Sequence, residues 1–105
     1  MITTHVLDLA SGSPASGMAV ALERQVGNGW HEVAQTRTDR DGRARELGAA
    51  PARGRFRLRF DTAGYLGQDA FFPEVAVQFA VKEVDQDLHI PLLLSKFGYS
   101  IYRGS

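Results

Sequence analysis

Apolar and polar residues alternate through most of this 105-residue chain, and a period of two marks strands that bury one face. Ile2 to Leu9 alternates loosely, with His5, Leu7 and Leu9 on one face and Thr4, Val6 and Asp8 on the other. Met18 to Arg24 sets Met18, Val20 and Leu22 against the small Ala19 and Ala21. Trp30 to Thr38 predicts another strand, with Val33 among polar residues, and Arg43 to Leu47 a short edge strand. Arg55 to Phe60 alternates without exception, Phe56, Leu58 and Phe60 opposing Arg55, Arg57 and Arg59. This predicts a half-buried strand whose cationic outer face is solvated. Val75, Val77, Phe79 and Val81 then oppose Ala76, Gln78 and Ala80. The final stretch opens with an apolar run, Leu88 to Leu94, carrying His89 and Pro91. A turn at Lys96 to Gly98 leads to a second strand-like run, Tyr99 to Tyr102.

Turn chemistry separates these runs. Ser11 to Gly17 is a Ser/Gly/Pro turn, Gly27-Asn28-Gly29 a hairpin signal, and Asp39 to Gly42 a second tight turn. Ala49 to Gly54 reads as a loop and Glu83 to Asp87 as an acidic turn. Asp61 or Thr62 can cap one short helix that ends before Gly67. Seven or eight short strands with at most one short helix predict an all-β chain folded as an antiparallel sandwich. The length predicts a single domain spanning residues 1–105.

Composition narrows the partners. Twelve basic and twelve acidic residues cancel, so no net field draws the chain to nucleic acid or to an anionic membrane. The absence of cysteine removes disulfides and thiolate chemistry and fits a reducing, cytoplasmic setting. Pro73, Glu74 and Gln78 break the longest apolar runs, far short of the roughly 20 residues of a membrane helix. No cationic and apolar leader opens the chain. The expectation is a soluble, unanchored, cytoplasmic protein.

Candidate chemistry is sparse. Of three histidines, His89 has the opposite parity to Leu88, Ile90, Leu92 and Leu94, so it reads as a surface or interface residue. His5 shares a face with leucines and reads as a partly buried, hydrogen-bonded core residue. His31, beside Trp30 after a hairpin turn, reads as solvated. Arg43 closes the turn TDRDGR, a common Asp-Gly turn followed by a charge. The fragment DRDG resembles half of a calcium loop, but no correctly spaced bidentate Glu follows. Two histidines without a third His, Cys or placed carboxylate make a poor zinc site, so no metal and no cofactor are expected. No phosphate loop, nucleophile elbow or Cys–His pair is present. The tail Tyr102-Arg103-Gly104-Ser105 abuts an aromatic strand without a linker. That sets a guanidinium, a hydroxyl and a carboxylate beside a structured element.

HIPLLLS followed by GYS-x-YRGS resembles the 5-hydroxyisourate hydrolases, the transthyretin-related enzymes of urate breakdown. TTHVLDLASGSPASGMAV, TDRDGR and FFPEVAVQF agree with it, so the resemblance covers essentially the whole chain. It departs in Asp39 for Asn, Lys96-Phe97 for Pro-Tyr, Ile101 for Thr, and Asp87 where a His is common. The resemblance implies a transthyretin-like sandwich of two four-stranded sheets with one short helix. It implies hydrolysis of 5-hydroxyisourate to 2-oxo-4-hydroxy-4-carboxy-5-ureidoimidazoline, in a homotetramer with active sites between subunits. On it, His5, Arg43, His89 and Ser105 form the reacting set, and Arg43, Tyr102, Arg103 and Gly104 shape the substrate pocket. A guanidinium fork suits an anionic, carbonyl-rich purine derivative. Which histidine serves as base stays open. The other classes weighed are a transthyretin-like small-molecule carrier, which would lack YRGS, and a structural β-sandwich module, which would lie among linkers.

Overall fold

A computed structural model describes residues 1–105. Ten strands and one helix follow in order: β1 Ile2–Asp8, β2 Ser13–Pro14, β3 Ala19–Val26, β4 Gly29–Arg37, β5 Arg43–Ala44, β6 Gly54–Phe60, α1 Thr62–Leu66, β7 Val75–Val81, β8 Leu88–His89, β9 Leu92–Leu94 and β10 Tyr99–Ile101. One sheet has the order β4-β3-β6-β7 and is antiparallel throughout. In the other, β1 is the hub: β2 and β5 pair along one edge, β8 and β9 along the other, and β10 closes outside β9. β8 and β9 run parallel to β1, so this sheet is mixed, unlike the uniformly antiparallel pattern expected from the sequence. The Ile90-Pro91 step splits Leu88–Leu94 into two strands, since proline has no N–H for the ladder. Each edge of β1 thus carries two short pieces in one row, and the sheet is four rows wide.

The core lies between the sheets. Met18, Val20 and Leu22 of the β3 segment, Phe56, Leu58 and Phe60 of β6, and Leu92 and Leu94 of β9 are fully buried, as their alternation predicted. The predicted hairpin forms with Gly27 and Asn28 as its two turn residues, Val26 facing Gly29. Asp61 caps α1 by accepting from the Gly64 N–H at 3.0 Å, worth about 1 kcal/mol. No helix is long and apolar enough to cross a membrane.

Two expectations change. In β1 the buried face is Ile2, Thr4, Val6 and Asp8, not the face carrying the leucines. The polar members are satisfied inside: the Thr4 hydroxyl donates to Ile90 O at 2.6 Å, and Asp8 accepts from the Tyr65 hydroxyl at 2.8 Å and from the Ala10 N–H at 2.9 Å. His5 therefore faces outward, away from its own core. The arginine face of β6 is also not simply solvated. Arg57 donates to Glu23 at 2.7 Å and lies 4.3 Å from the Trp30 ring centre, while Arg59 bridges Glu23 and Glu74. Glu23 is only 7% exposed, so it needs these partners to offset its lost hydration.

Candidate active site

The outward face of β1 collects side chains from distant segments. The antiparallel register sets His5 opposite Arg43, and the parallel register sets Thr3 opposite His89. Buried Thr4 and Ala44 pair just behind them, so Thr3, His5 and Arg43 share one surface. Arg43 is delivered by the Asp39–Gly42 turn. Asp39 accepts from the N–H groups of Asp41 at 2.8 Å and Arg43 at 3.0 Å. The Arg43 amide is the main reason the Asp39 carboxyl is held below its usual range. Gly42 has φ 77°, and a Cβ there would collide with the Val6 carbonyl oxygen, so the turn must press its bare backbone against β1. The Val6 N–H donates to Gly42 O at 2.7 Å and locks that contact.

The tail folds back along β8. Gly104 bridges to His89, its N–H donating to His89 O at 2.7 Å. A Cβ on Gly104 would stand 2.8 Å from His89 Cδ2 and 3.2 Å from Pro91 Cγ. Gly104 is thus needed for close approach to the imidazole. On the opposite side of the ring, Thr3 Oγ1 lies 2.8 Å from His89 Nδ1. The imidazole is gripped at both edges.

Arg43, His89 and Ser105 line one open polar cleft of about 470 Å³, together with Thr3, Thr4 and Arg45. His89 also lines an adjoining cleft of about 540 Å³ with Arg103, Gly104, Ser105 and Asp87. His5 lines neither. Its Nε2 is 2.8 Å from Asp41 O, and because a carbonyl can only accept, that nitrogen carries the hydrogen. Tyr102 is turned elsewhere: with Arg103 it borders a separate apolar pocket of about 220 Å³ beside Phe79 and Ile90. The structure therefore joins Arg43, His89 and Ser105, sets Arg103 and Gly104 next door, and leaves His5 at the rim and Tyr102 outside. Thr3 and Arg45 are additions. Each lies two residues from a candidate, Thr3 before His5 and Arg45 after Arg43, so strand parity alone could have found them.

Burial is the main force on the His89 pKa, pushing it below the ordinary imidazole value; the nearby Arg43 and His5 side chains push the same way, and the backbone of Thr3 opposes them. A neutral imidazole, a guanidinium and a hydroxyl around an open polar cleft can take a proton from water and stabilise an oxyanion. No cluster of three or more His, Cys, Asp or Glu side chains is positioned to hold a metal.

Residues 2–104 match the HIUase/transthyretin family. A 5-hydroxyisourate hydrolase of Salmonella dublin is 42% identical across 100% of this chain and 81% of its own length. The Klebsiella pneumoniae 5-hydroxyisourate hydrolase structure superposes with a TM-score of 0.86 at 32% identity, covering 99% of this chain and 97% of its own. Sea bream transthyretin in complex with thyroxine superposes with a TM-score of 0.90 at 26% identity, covering 98% and 93%. An (S)-allantoin synthase structure is similar as well, with a TM-score of 0.86 at 27% identity over 99% of this chain, which spans 43% of that longer protein.

Proposed function

The chain belongs to the HIUase/transthyretin family, and from that premise we propose that it is a 5-hydroxyisourate hydrolase of urate degradation. The observation that carries the proposal is the meeting of Arg43, His89 and Ser105 in one polar cleft. Backbone similarity does not separate the two activities in the family, since hydrolase and transthyretin superpose about equally well. The side chains carry the reading: a cleft with two arginines, a histidine and a serine suits an anionic, carbonyl-rich heterocycle.

In the proposed reaction His89, kept neutral by its surroundings, accepts a proton from water as the water oxygen adds to a ring carbonyl carbon. Arg43 stabilises the oxyanion that forms. The oxyanion collapses, the ring C–N bond breaks, and the departing nitrogen takes the proton back from His89. Ser105 orients the water, and His5, fixed by Asp41 beside Arg43, adds electrostatic support. The product is 2-oxo-4-hydroxy-4-carboxy-5-ureidoimidazoline. These steps use no metal or cofactor, so activity should survive dialysis against EDTA.

We further place the enzyme in the cytoplasm as a single domain within a homotetramer whose active sites lie between subunits. Two features support assembly. Phe71 and Phe97 are 65% and 77% exposed, and an edge-to-face aromatic chain links Phe97, Phe71, Phe72 and Tyr99 beside the open edge of β10. Exposed aromatic patches and free strand edges are costly in a monomer. Tyr102 then shapes the pocket only in the assembled form, where subunits meet. Light scattering showing a fully active monomer would remove this part of the reading. The activity itself is tested by the ultraviolet absorbance of freshly made 5-hydroxyisourate. Faster decay with micromolar protein is expected; decay at the spontaneous rate would overturn the assignment.

A further inference from the structure

We infer that Thr3 is the positioning residue for His89, holding hydrogen on Nδ1 so that an unprotonated Nε2 faces the cleft. The inference rests on the hydrolase reading and answers a question that reading leaves open, namely which tautomer of His89 is present and what selects it.

Thr3 and His89 are direct partners in the parallel register of β1 and β8, so the ladder itself brings their side chains to one level. Thr3 Oγ1 stands 2.8 Å from Nδ1 at a partly buried position. A hydroxyl can donate or accept there. The hydrolase reading sets the direction: Thr3 occupies Nδ1, so the nitrogen left to take a proton from water in the cleft is Nε2, which must then be unprotonated. Nδ1 then carries the hydrogen and the Thr3 hydroxyl oxygen accepts it. Nε2, at the far end of the ring, keeps its lone pair for the cleft. His5 shows the opposite arrangement, its Nε2–H engaged by Asp41 O. The two imidazoles are thus set as different tautomers, and His89 is the one that presents a basic Nε2.

Thr4, one residue along, shows that the Thr3 hydroxyl is not interchangeable with its neighbour. Thr4 faces the core and spends its hydroxyl on Ile90 O. The charged and titratable groups around the His89 ring are the Met1 ammonium, paired with Asp87 ahead of β8, His5 on β1, Arg43 and Arg45 at β5, and Arg103 and Ser105 of the tail. None of them is hydrogen-bonded to Nδ1, so Thr3 alone sets the tautomer.

The test compares wild type with Thr3→Val and Thr3→Ser. Nitrogen-15 spectra of the intact protein should show the Nδ1–H tautomer for His89, identified by its loss in His89→Gln, and a shift toward Nε2–H in Thr3→Val. Turnover in Thr3→Val should fall by about 10–100-fold with KM within about twofold, and Thr3→Ser should restore most of it. Loss of an acceptor should also move the acid limb of the pH profile to lower pH. An Nε2–H tautomer in wild type, or an acid limb that moves up in Thr3→Val, would mean the hydroxyl donates and would overturn the inference. Because the spectra do not depend on turnover, an inactive wild type would sink the hydrolase reading while still deciding the role of Thr3.

Discussion

Replacing Gly104 with alanine should slow turnover without unfolding the protein. The new Cβ would stand 2.8 Å from His89 Cδ2, where ordinary contact begins at 3.4 Å, so one of them must give by at least 0.6 Å or so. Retreat on the alanine side is blocked by Pro91, 3.2 and 3.3 Å away. The backbone there is held by the 2.7 Å bond from Gly104 N to His89 O. The imidazole is the softer partner, and moving it strains its contact with Thr3. A displacement on the order of 1 Å in a reacting group can cost about 10²-fold, so kcat should drop roughly 10- to 100-fold with KM changed much less. The folded state should barely notice. Gly104 is outside the buried core, and the entropy lost by the unfolded chain favours alanine by about 0.4–1 kcal/mol where φ permits. Stopped-flow ultraviolet absorbance gives kcat, and thermal melting gives stability. Wild-type kcat in this variant would show that His89 tolerates the push and that the close approach has no mechanistic use.

Other outcomes follow from the same geometry. His89→Ala should lower turnover by about 10²–10⁴ as loss of a general base, and His5→Ala by about 10²–10³ as loss of charge stabilisation, while solvent-facing His31→Ala stays near wild type; equal losses in all three would end the distinction. Burial, with Arg43 and His5 nearby, lowers the His89 pKa, so kcat/KM should persist as pH falls past the ordinary imidazole value of about 6.5 and Arg43→Gln should move the acid limb upward; a wild-type limb above that value contradicts the assignment. The same depression means the folded chain binds fewer protons than the unfolded one, so this contribution to stability is complete above about pH 6.5 and is lost as pH falls through the lowered value. Glu23→Ala should destabilise by about 1–2 kcal/mol, since Arg57 loses its carboxylate while Arg59 keeps Glu74 and both guanidiniums stay partly solvated; a urea midpoint unchanged from wild type would refute that.

The strand content, the hairpin at Gly27-Asn28, the cap at Asp61 and the inward faces of β3, β6 and β9 were legible because each is a local signal. Alternation, turn residues and capping side chains act within a few positions of themselves. Two things were not local. The face of β1 was ambiguous, since Thr4 and Asp8 are polar yet buried; only their partners Ile90 O and Tyr65, 86 and 57 residues away, explain the choice. The second was pairing direction. Nothing in an apolar run with a proline says whether it lies parallel to the first strand, and the parallel register is what sets Thr3 beside His89. Parity correctly turned His89 away from its own core, whereas for His5 it pointed the wrong way until Ile2, Thr4 and Val6 were seen to be buried. Tyr102 was grouped with the site by the resemblance of the YRGS tail, but it lies past the end of β10 and borders the apolar pocket.

The hub position of β1 explains how a chain with no net charge builds a cationic cleft. Arg43 arrives on one edge by an antiparallel pair, His89 on the other by a parallel pair, and the tail reaches the same surface through the bridge to Gly104. Every placement depends on one register. A one-residue slip of β1 would turn Thr3 and His5 inward and expose Thr4 and Val6. The slip is opposed from inside, because Ile2 and Val6 are fully buried and Thr4 is bonded to Ile90 O. The residues that hold the register and those that face the cleft therefore alternate along the same seven-residue strand. Packing on one face of β1 sets the geometry of the chemistry on the other.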